Sequence, residues 1–152
     1  IFSAAGNAYF DNTKQSKEGN EQFLLTLESQ GQIDEYEILQ KSCIVMKEKL
    51  KITKDLIKAQ YNSPNIQDSK KLKIDLINED HTLGNLINDY LQNHKDVAFS
   101  GLSKPSLLID RVVITLATVK NNPLIPVIET IDHIIKIFDN IESQIKKLGN
   151  IK

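Results

Sequence analysis

The sequence predicts an α+β fold in which a small antiparallel sheet packs with long amphipathic helices. Short segments alternate apolar and polar side chains with a period of two, which is typical of half-buried strands. Longer segments repeat apolar residues every three or four positions, which is typical of helices that bury one face. The predicted order along the chain is strand–helix, linker, strand–helix–strand–strand–helix.

The first part of the chain predicts one strand and one long helix. Residues 1–21 are small, polar and glycine-containing, so we expect a loop there. Apolar and polar side chains alternate along residues 22–28, which predicts a strand. Residues 35–59 have a helical period, with Asp34 as the expected N-cap, and residues 61–69 predict a linker. The apolar stripe of this helix consists of Leu39, Cys43, Met46, Leu50 and Ile57.

The second part predicts three strands and two helices. Alternation predicts the strands at residues 71–76, 97–101 and 111–116, and a helix opens at Thr82 and stops near Asn93. Asn122 and Pro123 fit the N-cap and first position of a final helix. Its apolar stripe is broader than a coiled-coil seam, so we expect it to pack partly on its own sheet and partly on another helix. That stripe includes Leu124, Val127, Ile128, Ile131, Ile134, Ile135, Phe138, Ile141, Ile145 and Leu148.

Composition disfavours several classes of function. The chain has 152 residues, a net charge of -1 and a pI near 6.3, so no global positive field exists to hold nucleic acid. Arg111 is the only arginine, which argues against sequence-specific DNA contact because arginine dominates base readout.

Cys43 is the only cysteine, which fits a reducing intracellular compartment. No apolar run reaches the length of a membrane span, so no membrane contact is expected. The chain opens on Ile1 rather than methionine, which suggests a fragment of a longer polypeptide.

The residues that could carry chemistry do not form a recognisable catalytic, metal or cofactor site. The run 79–81 contains two carboxylates and a histidine, but carboxylates at the start of a helix explain it more simply. Cys43 lies on an apolar helix stripe, where a core thiol is the default. Gly84 belongs to no phosphate-binding loop and predicts close approach by another backbone or helix. No zinc-binding or protease motif includes the histidines, which are His81, His94 and His133.

The run Glu79-Asp80-His81-Thr82-Leu83-Gly84-Asn85-Leu86 resembles the opening of the first helix in the eleventh-subunit family of eukaryotic RNA polymerase II and its archaeal, L-type counterpart. Its Thr-Leu-Gly-Asn core is also similar to the dimerisation helix of the bacterial polymerase alpha subunit. The resemblance continues through Phe99-Ser100-Gly101 and Pro105, and covers residues 71–152. It implies an alpha-subunit-like dimerisation fold.

The first part of the chain resembles the end of the third-largest polymerase subunit and its archaeal, D-type counterpart. The similar residues are the strand Phe23-Leu24-Leu25-Thr26-Leu27-Glu28-Ser29, then Gly31, Ile38 and the helical run Lys47-Glu48-Lys49-Leu50. The D-type and L-type families are separate chains in most polymerases, so their succession here looks like a fused form, as some large DNA viruses carry. The implied division is a D-like unit at 1–61, a linker at 62–70 and an L-like unit at 71–152.

The chain departs from these families at several positions. Leu102 stands where family members usually have an aromatic residue, and Lys104 where they often have histidine. Ile87 and Asn88 stand where the bacterial helix carries arginines, so an arginine contact to a large subunit is not carried over.

The resemblance implies a non-catalytic assembly subunit without cofactors. The D-like and L-like units would pair within the chain and form a platform for the large polymerase subunits, alongside other small subunits. Gly84 would allow close approach, Thr82 would cap its helix and Asn85 would bind a neighbouring backbone. The implied location is the virion or host cytoplasm for a viral protein, or the nucleus for a eukaryotic one. The expected interface residues are Thr82, Leu83, Gly84, Asn85, Leu86, Ile87, Tyr90, Phe99, Ile128, Ile131, Ile135, Phe138, Leu39, Cys43, Met46 and Leu50.

Two other functions are compatible with the sequence. One is an α+β dimerisation module unrelated to transcription, which a native pull-down free of polymerase subunits would favour. The other is an enzyme whose site is completed by further residues or by another chain. Loss of an activity on mutating His81, with the fold intact, would favour the enzyme.

Overall fold

The computed structural model describes the backbone of residues 6–15, 21–106 and 108–149, and the side chains from Leu25 onward within those ranges. The described ranges contain five strands and four helices. The strands are β1 (Gly6–Gln15), β2 (Glu21–Ser29), β3 (Lys71–Ile77), β4 (Val97–Ser103) and β5 (Arg111–Thr118). The helices are α1 (Glu35–Tyr61), α2 (Pro64–Gln67), α3 (His81–Gln92) and α4 (Leu124–Gly149).

The described residues form two compact units. The first comprises the chain up to Val45 together with the residues from Asn140 onward, and the second runs from Met46 to Asp139. Both α1 and α4 contribute residues to each unit, because each helix crosses one of these boundaries.

The first unit contains an antiparallel hairpin and two helix ends. Strands β1 and β2 pair from Gly6 opposite Ser29 to Asn12 opposite Phe23, with an irregularity before Gln15. The Asp34 carboxylate accepts a hydrogen bond of 3.1 Å from the Tyr36 amide, so the predicted N-cap of α1 is confirmed.

The second unit is built on a three-stranded antiparallel sheet in the order β3-β5-β4. Strand β5 is the last strand along the chain but lies in the middle of the sheet, where it pairs with both neighbours. One face of the sheet is apolar and is covered by α3 together with the parts of α1 and α4 that belong to this unit. The side chains of this core come from all of these elements and include Leu50, Ile57, Ile74, Leu83, Ile87, Leu91, Ile114, Leu116, Val127, Ile131 and Ile134.

The outer edge of β3 is partly occupied by other groups of the chain. The Tyr61 hydroxyl at the end of α1 accepts a hydrogen bond of 3.0 Å from the Asp75 amide. The Ser69 hydroxyl accepts a hydrogen bond from the Lys71 amide and donates one to the Lys71 carbonyl, at 3.0 and 2.9 Å. These backbone groups are therefore unavailable to an additional strand.

The α+β prediction is confirmed, including the small antiparallel sheet and the long helices. The strand predicted at 22–28 is β2, and those predicted at 71–76, 97–101 and 111–116 are β3, β4 and β5. The three longer helices also lie where the apolar periods predict them. Among the helices of the described ranges, none is both long enough and apolar enough to span a membrane.

Three segments differ locally from the predictions. Within the predicted loop at 1–21, Gly6–Gln15 is β1, whose polar, glycine-containing sequence gives little strand signal and which forms by pairing with β2. Residues 1–5 and 16–20 of that prediction lie outside the described residues. The predicted linker at 61–69 contains α2, a short helix with Pro64 in its first turn. The final helix begins at Leu124, and Asn122 has a φ of 67°, a left-handed conformation instead of the extended one of an N-cap.

Candidate functional site

The run that carries the family resemblance forms the start of α3. Asp80 is the N-cap, and its carboxylate accepts a hydrogen bond of 2.8 Å from the Thr82 amide. The prediction that Thr82 caps the helix was therefore wrong by two positions. The adjacent Glu79 carboxylate forms an ion pair of 3.2 Å with Lys49 of α1. The Asp80 carboxylate thus caps the start of α3, and the Glu79 carboxylate, just before α3, contacts α1.

The environment of the Asp80 carboxylate favours its charged form. The hydrogen bond from the Thr82 amide is the largest cause that lowers the pKa of Asp80 below its ordinary value. The Thr82 hydroxyl and the positive charges of Lys49 and Lys104 lower this pKa further, against the opposing effect of burial. The cap is consequently strongest when Asp80 is ionised.

Gly84 lies where α3 comes closest to the sheet. A Cβ atom at this position would stand 2.9 Å from Cγ2 of Val112 on β5 and 3.0 Å from Cδ1 of Leu102 on β4. Such distances are shorter than normal contacts, and Val112 is fully buried, so its branched side chain has little room to move. The glycine predicted to allow close approach does so within its own unit, against side chains of the sheet.

The inner face of α3 combines apolar packing with one buried polar contact. Ile87, at an arginine position of the bacterial family, is fully buried in the core. Asn88 stands at the second of these arginine positions. It accepts a hydrogen bond of 2.7 Å from the Ser100 hydroxyl, and both side chains are buried. Gln92 donates a hydrogen bond of 3.0 Å to the Ser100 carbonyl. An arginine at either position would have to be buried here, which accounts for the departure from the bacterial pattern.

The pairing of Asn88 with Ser100 was missed from the sequence. Its two members lie twelve positions apart on different elements, so only the register of β4 against α3 brings them together. The only available signal was a polar side chain, Asn88, on the same helical face as the apolar Leu91.

Helices α1 and α4 pack side by side in the second unit, and ion pairs flank their contact. Lys47 and Asp139 approach to 2.7 Å, and Lys54 and Asp132 also approach to 2.7 Å. On α1, Lys54 follows Lys47 by seven positions, whereas on α4 its partner Asp132 precedes Asp139 by seven positions. The two helices are therefore antiparallel, and the ion pairs have a heptad spacing. Leu50 of α1 belongs to the same core cluster as the apolar residues of α4.

The structure divides the predicted interface residues into three groups. Several fill the cores of the two units and have almost no surface left for a second chain: Leu83, Gly84, Ile87, Ile131, Ile135, Leu50 and Cys43. Others are half-buried, namely Leu39, Met46, Leu86, Tyr90, Ile128 and Phe138. The exposed ones are Thr82, Asn85 and Phe99. The role of the last two groups in contacts with another chain stays a prediction.

Phe99 and Gly101 form one local arrangement on the exposed side of the sheet. They are two positions apart on β4 and so face the same way. The tip of the Phe99 ring leans over Gly101, where a Cβ atom would stand 3.0 Å from Cζ. Glycine at 101 therefore makes room for the ring, which remains 58% exposed.

An exposed apolar groove runs between α1 and the end of β3. Ile52, Leu56 and Ile77 are each more than 60% exposed and line a groove of about 200 Å³. None of the three was predicted as an interface residue from the sequence, because Ile52 and Leu56 lie outside the main apolar stripe of α1. An exposed cluster of apolar side chains is typical of a surface that another molecule covers.

These features place the second unit among small α+β domains in which long helices cover one face of a three-stranded antiparallel sheet. Residues 71–144 match the family model described as the RNA polymerase Rpb3/Rpb11 dimerisation domain. Over 149 residues the chain is 25% identical to a protein of Acanthamoeba polyphaga mimivirus named as a DNA-directed RNA polymerase subunit. The match takes in 96% of this chain and 40% of the relative, so the chain spans less than half of that protein. The predicted resemblance to an RNA polymerase assembly subunit is confirmed.

We predict that Gly84→Ala destabilises the protein although alanine is the better helix former. Overpacking against Val112 should cost about 1–3 kcal/mol. The gain in helix propensity returns about 1 kcal/mol, which leaves a net loss of about 1 kcal/mol in the free energy of unfolding. Urea unfolding measures this difference. The matched control is Asn85→Ala, next along the helix and exposed, which should be neutral or slightly stabilising. Equal stability of Gly84→Ala and the natural protein would refute the close packing.

We predict that the contribution of Asp80 to stability depends on pH. Asp80→Ala should cost about 1 kcal/mol at pH 7 through loss of the cap, whereas Asp80→Asn should keep most of it. Because the pKa of Asp80 is lowered in the folded state, its charge-dependent contribution is present above the ordinary pKa near 3.8 and is lost as the pH falls through the lowered value. Urea unfolding from pH 7 to pH 3 should show the penalty of Asp80→Ala shrinking. A penalty that stays constant over this range would contradict the charged cap.

Proposed function

We propose that this chain is a non-catalytic assembly subunit of a multisubunit DNA-dependent RNA polymerase. In this proposal a D-like segment ending near Tyr61 and an L-like segment from Lys71 pair within one chain. Their outer surfaces would receive the large catalytic subunits. The proposal rests on interface burial and assigns no chemical step to any residue.

The antiparallel packing of α1 on α4 carries the proposal. Helix α4 lies largely in the part that matches the dimerisation family, whereas α1 precedes that part. Leu50 and Ile57 of α1 nevertheless belong to the same core as Ile131 and Ile134 of α4. A preceding helix that fills the pairing surface of a dimerisation domain is what a fusion of two pairing segments would require.

The surface that meets the large subunits should consist of exposed residues. Ile131 is fully buried, so Ile131→Asp would place an unpaired carboxylate in the core and unfold the unit before it tested any partner. The groove of Ile52, Leu56 and Ile77 is instead accessible and apolar. We propose that another polymerase subunit covers this groove in the assembled enzyme.

The α1–α4 contact makes a prediction about charge exchange. Lys54→Glu and Asp132→Lys should each destabilise the protein by about 0.5–1 kcal/mol, because each places like charges side by side. The double variant restores an ion pair and should recover most of that loss, which urea unfolding can measure. Lys51→Glu, exposed on the same helix, is the control and should be nearly neutral. A double variant as unstable as the sum of the singles would show that these side chains are not paired.

Co-purification tests the assembly role. The affinity-tagged full-length protein, isolated from the organism that produces it, should bring down the two large polymerase subunits, which mass spectrometry identifies. Leu56→Asp should reduce their yield severalfold by adding a charge to the groove, whereas Lys51→Asp, exposed on the same helix outside the groove, should not.

The results distinguish the proposed contact at the groove from the proposed assembly role. Normal yield with Leu56→Asp would place the partner contact elsewhere on the protein. Absence of polymerase subunits with the unmodified protein would contradict the assembly role and favour a pairing module unrelated to transcription.

A further inference from the structure

On the sheet face opposite the core, Val113 is buried, and the two rows of side chains beyond it are accessible and regularly arranged. The strand register aligns Lys71 of β3, Ala117 of β5 and Phe99 of β4 in one row across this face. The next row consists of Lys73, Thr115 and Gly101. The face therefore has two lysines on one side, small side chains along the middle and one aromatic ring on the other side.

The charges on this face are unbalanced. Lys71 and Lys73 are exposed, and neither forms an ion pair with the described residues. Arg111 lies on the same face, but its guanidinium is paired with Asp75 at 2.9 Å. The two lysines consequently provide an unopposed positive charge at the edge of the sheet.

The middle and far side of the face form a shallow trough with an apolar wall. Ala117, Thr115 and Gly101 rise little above the backbone, whereas Phe99 stands over Gly101 and is 58% exposed. Strands lie about 4.8 Å apart, so the lysine side and the Phe99 side are separated by about 10 Å. That width accommodates one extended polypeptide lying along the strands.

We propose that this face binds an extended acidic segment of a partner protein. Lys71 and Lys73 are two positions apart on a strand, about 6.6 Å, which equals the spacing of alternate side chains in an extended peptide. Two carboxylates at alternate positions would face the lysines. The side chain between them points the opposite way and would pack against Phe99 if it is apolar.

Single-stranded nucleic acid fits the face less well. Binding platforms for single strands stack successive bases on several aromatic side chains, and this face has only Phe99. Its free cations are lysines, which lack the planar fork with which arginine grips a phosphate. An alternating acidic and apolar peptide would use both lysines and the Phe99 ring. This surface is separate from the α1–α4 contact, so its test is independent of the proposed assembly function.

Fluorescence anisotropy with the full chain tests the proposal. The probe is a fluorescein-labelled nine-residue peptide of alternating glutamate and leucine, at low ionic strength, where surface charge pairs are least screened. Combined Lys71→Glu and Lys73→Glu should weaken binding roughly tenfold, and Phe99→Thr severalfold. Threonine is chosen because it preserves the strand propensity of β4.

The control for net charge is the combined variant Lys51→Glu and Lys136→Glu, which changes the same number of charges at exposed helical positions. It should retain binding within about twofold, since its charges lie away from the sheet face. Equal weakening by both double variants would overturn the proposal, because attraction would then be a property of the whole molecule. Failure of the peptide to saturate the natural protein would also overturn it. Tighter binding of a labelled nine-residue oligo(dT), lost with Phe99→Thr, would assign the face to single-stranded nucleic acid instead.

Discussion

The apolar stripe of α4 is the constraint on which the second unit depends. It is broader than a single neighbouring helix covers, so it has to be buried against several elements at once. The sheet covers one part of it, and α1 covers another along the line marked by the Lys47–Asp139 and Lys54–Asp132 pairs. Without α1, apolar surface on α4 would face solvent. The hydrophobic effect therefore holds a helix that precedes the matched residues 71–144 against a helix that lies largely within them.

The residues that carry the resemblance to the dimerisation family have an explanation in local packing. Gly84 allows α3 to approach the sheet, and Gly101 makes room for the ring of Phe99. Asp80 supplies the cap that starts α3. None of these roles requires contact with a second chain. Residues that carry a family resemblance can thus serve mainly to maintain the fold of their own unit.

Periodicity made most of the fold predictable, and its limits explain the errors. Strand β3 alternates because one of its faces is buried, and α4 has a long regular stripe, so both were predictable from residues close in sequence. Strand β5 was predicted from the same period, although Val113 on its other face is buried as well. Strand β1 depends on pairing with β2, which its own composition does not encode. Asp80 and Thr82 are both good capping residues, and only the backbone conformation decides between them. The Asn88–Ser100 contact and the Ile52–Leu56–Ile77 groove join distant segments, so they become visible only once the elements are packed.

The hydrogen bond that the Asp75 amide donates to the Tyr61 hydroxyl has a consequence for solubility. A strand at the margin of a sheet offers free amides and carbonyls on which another chain can polymerise. Here the Tyr61 hydroxyl at the end of α1 hydrogen-bonds the Asp75 amide of β3, and the Ser69 hydroxyl hydrogen-bonds the Lys71 amide and carbonyl. The helix that shields the α4 stripe thereby also protects β3 from edge-to-edge aggregation. Detachment of α1 would expose an apolar stripe and a pairing-competent strand together, so the protein would tend to form insoluble assemblies rather than a soluble partly folded state.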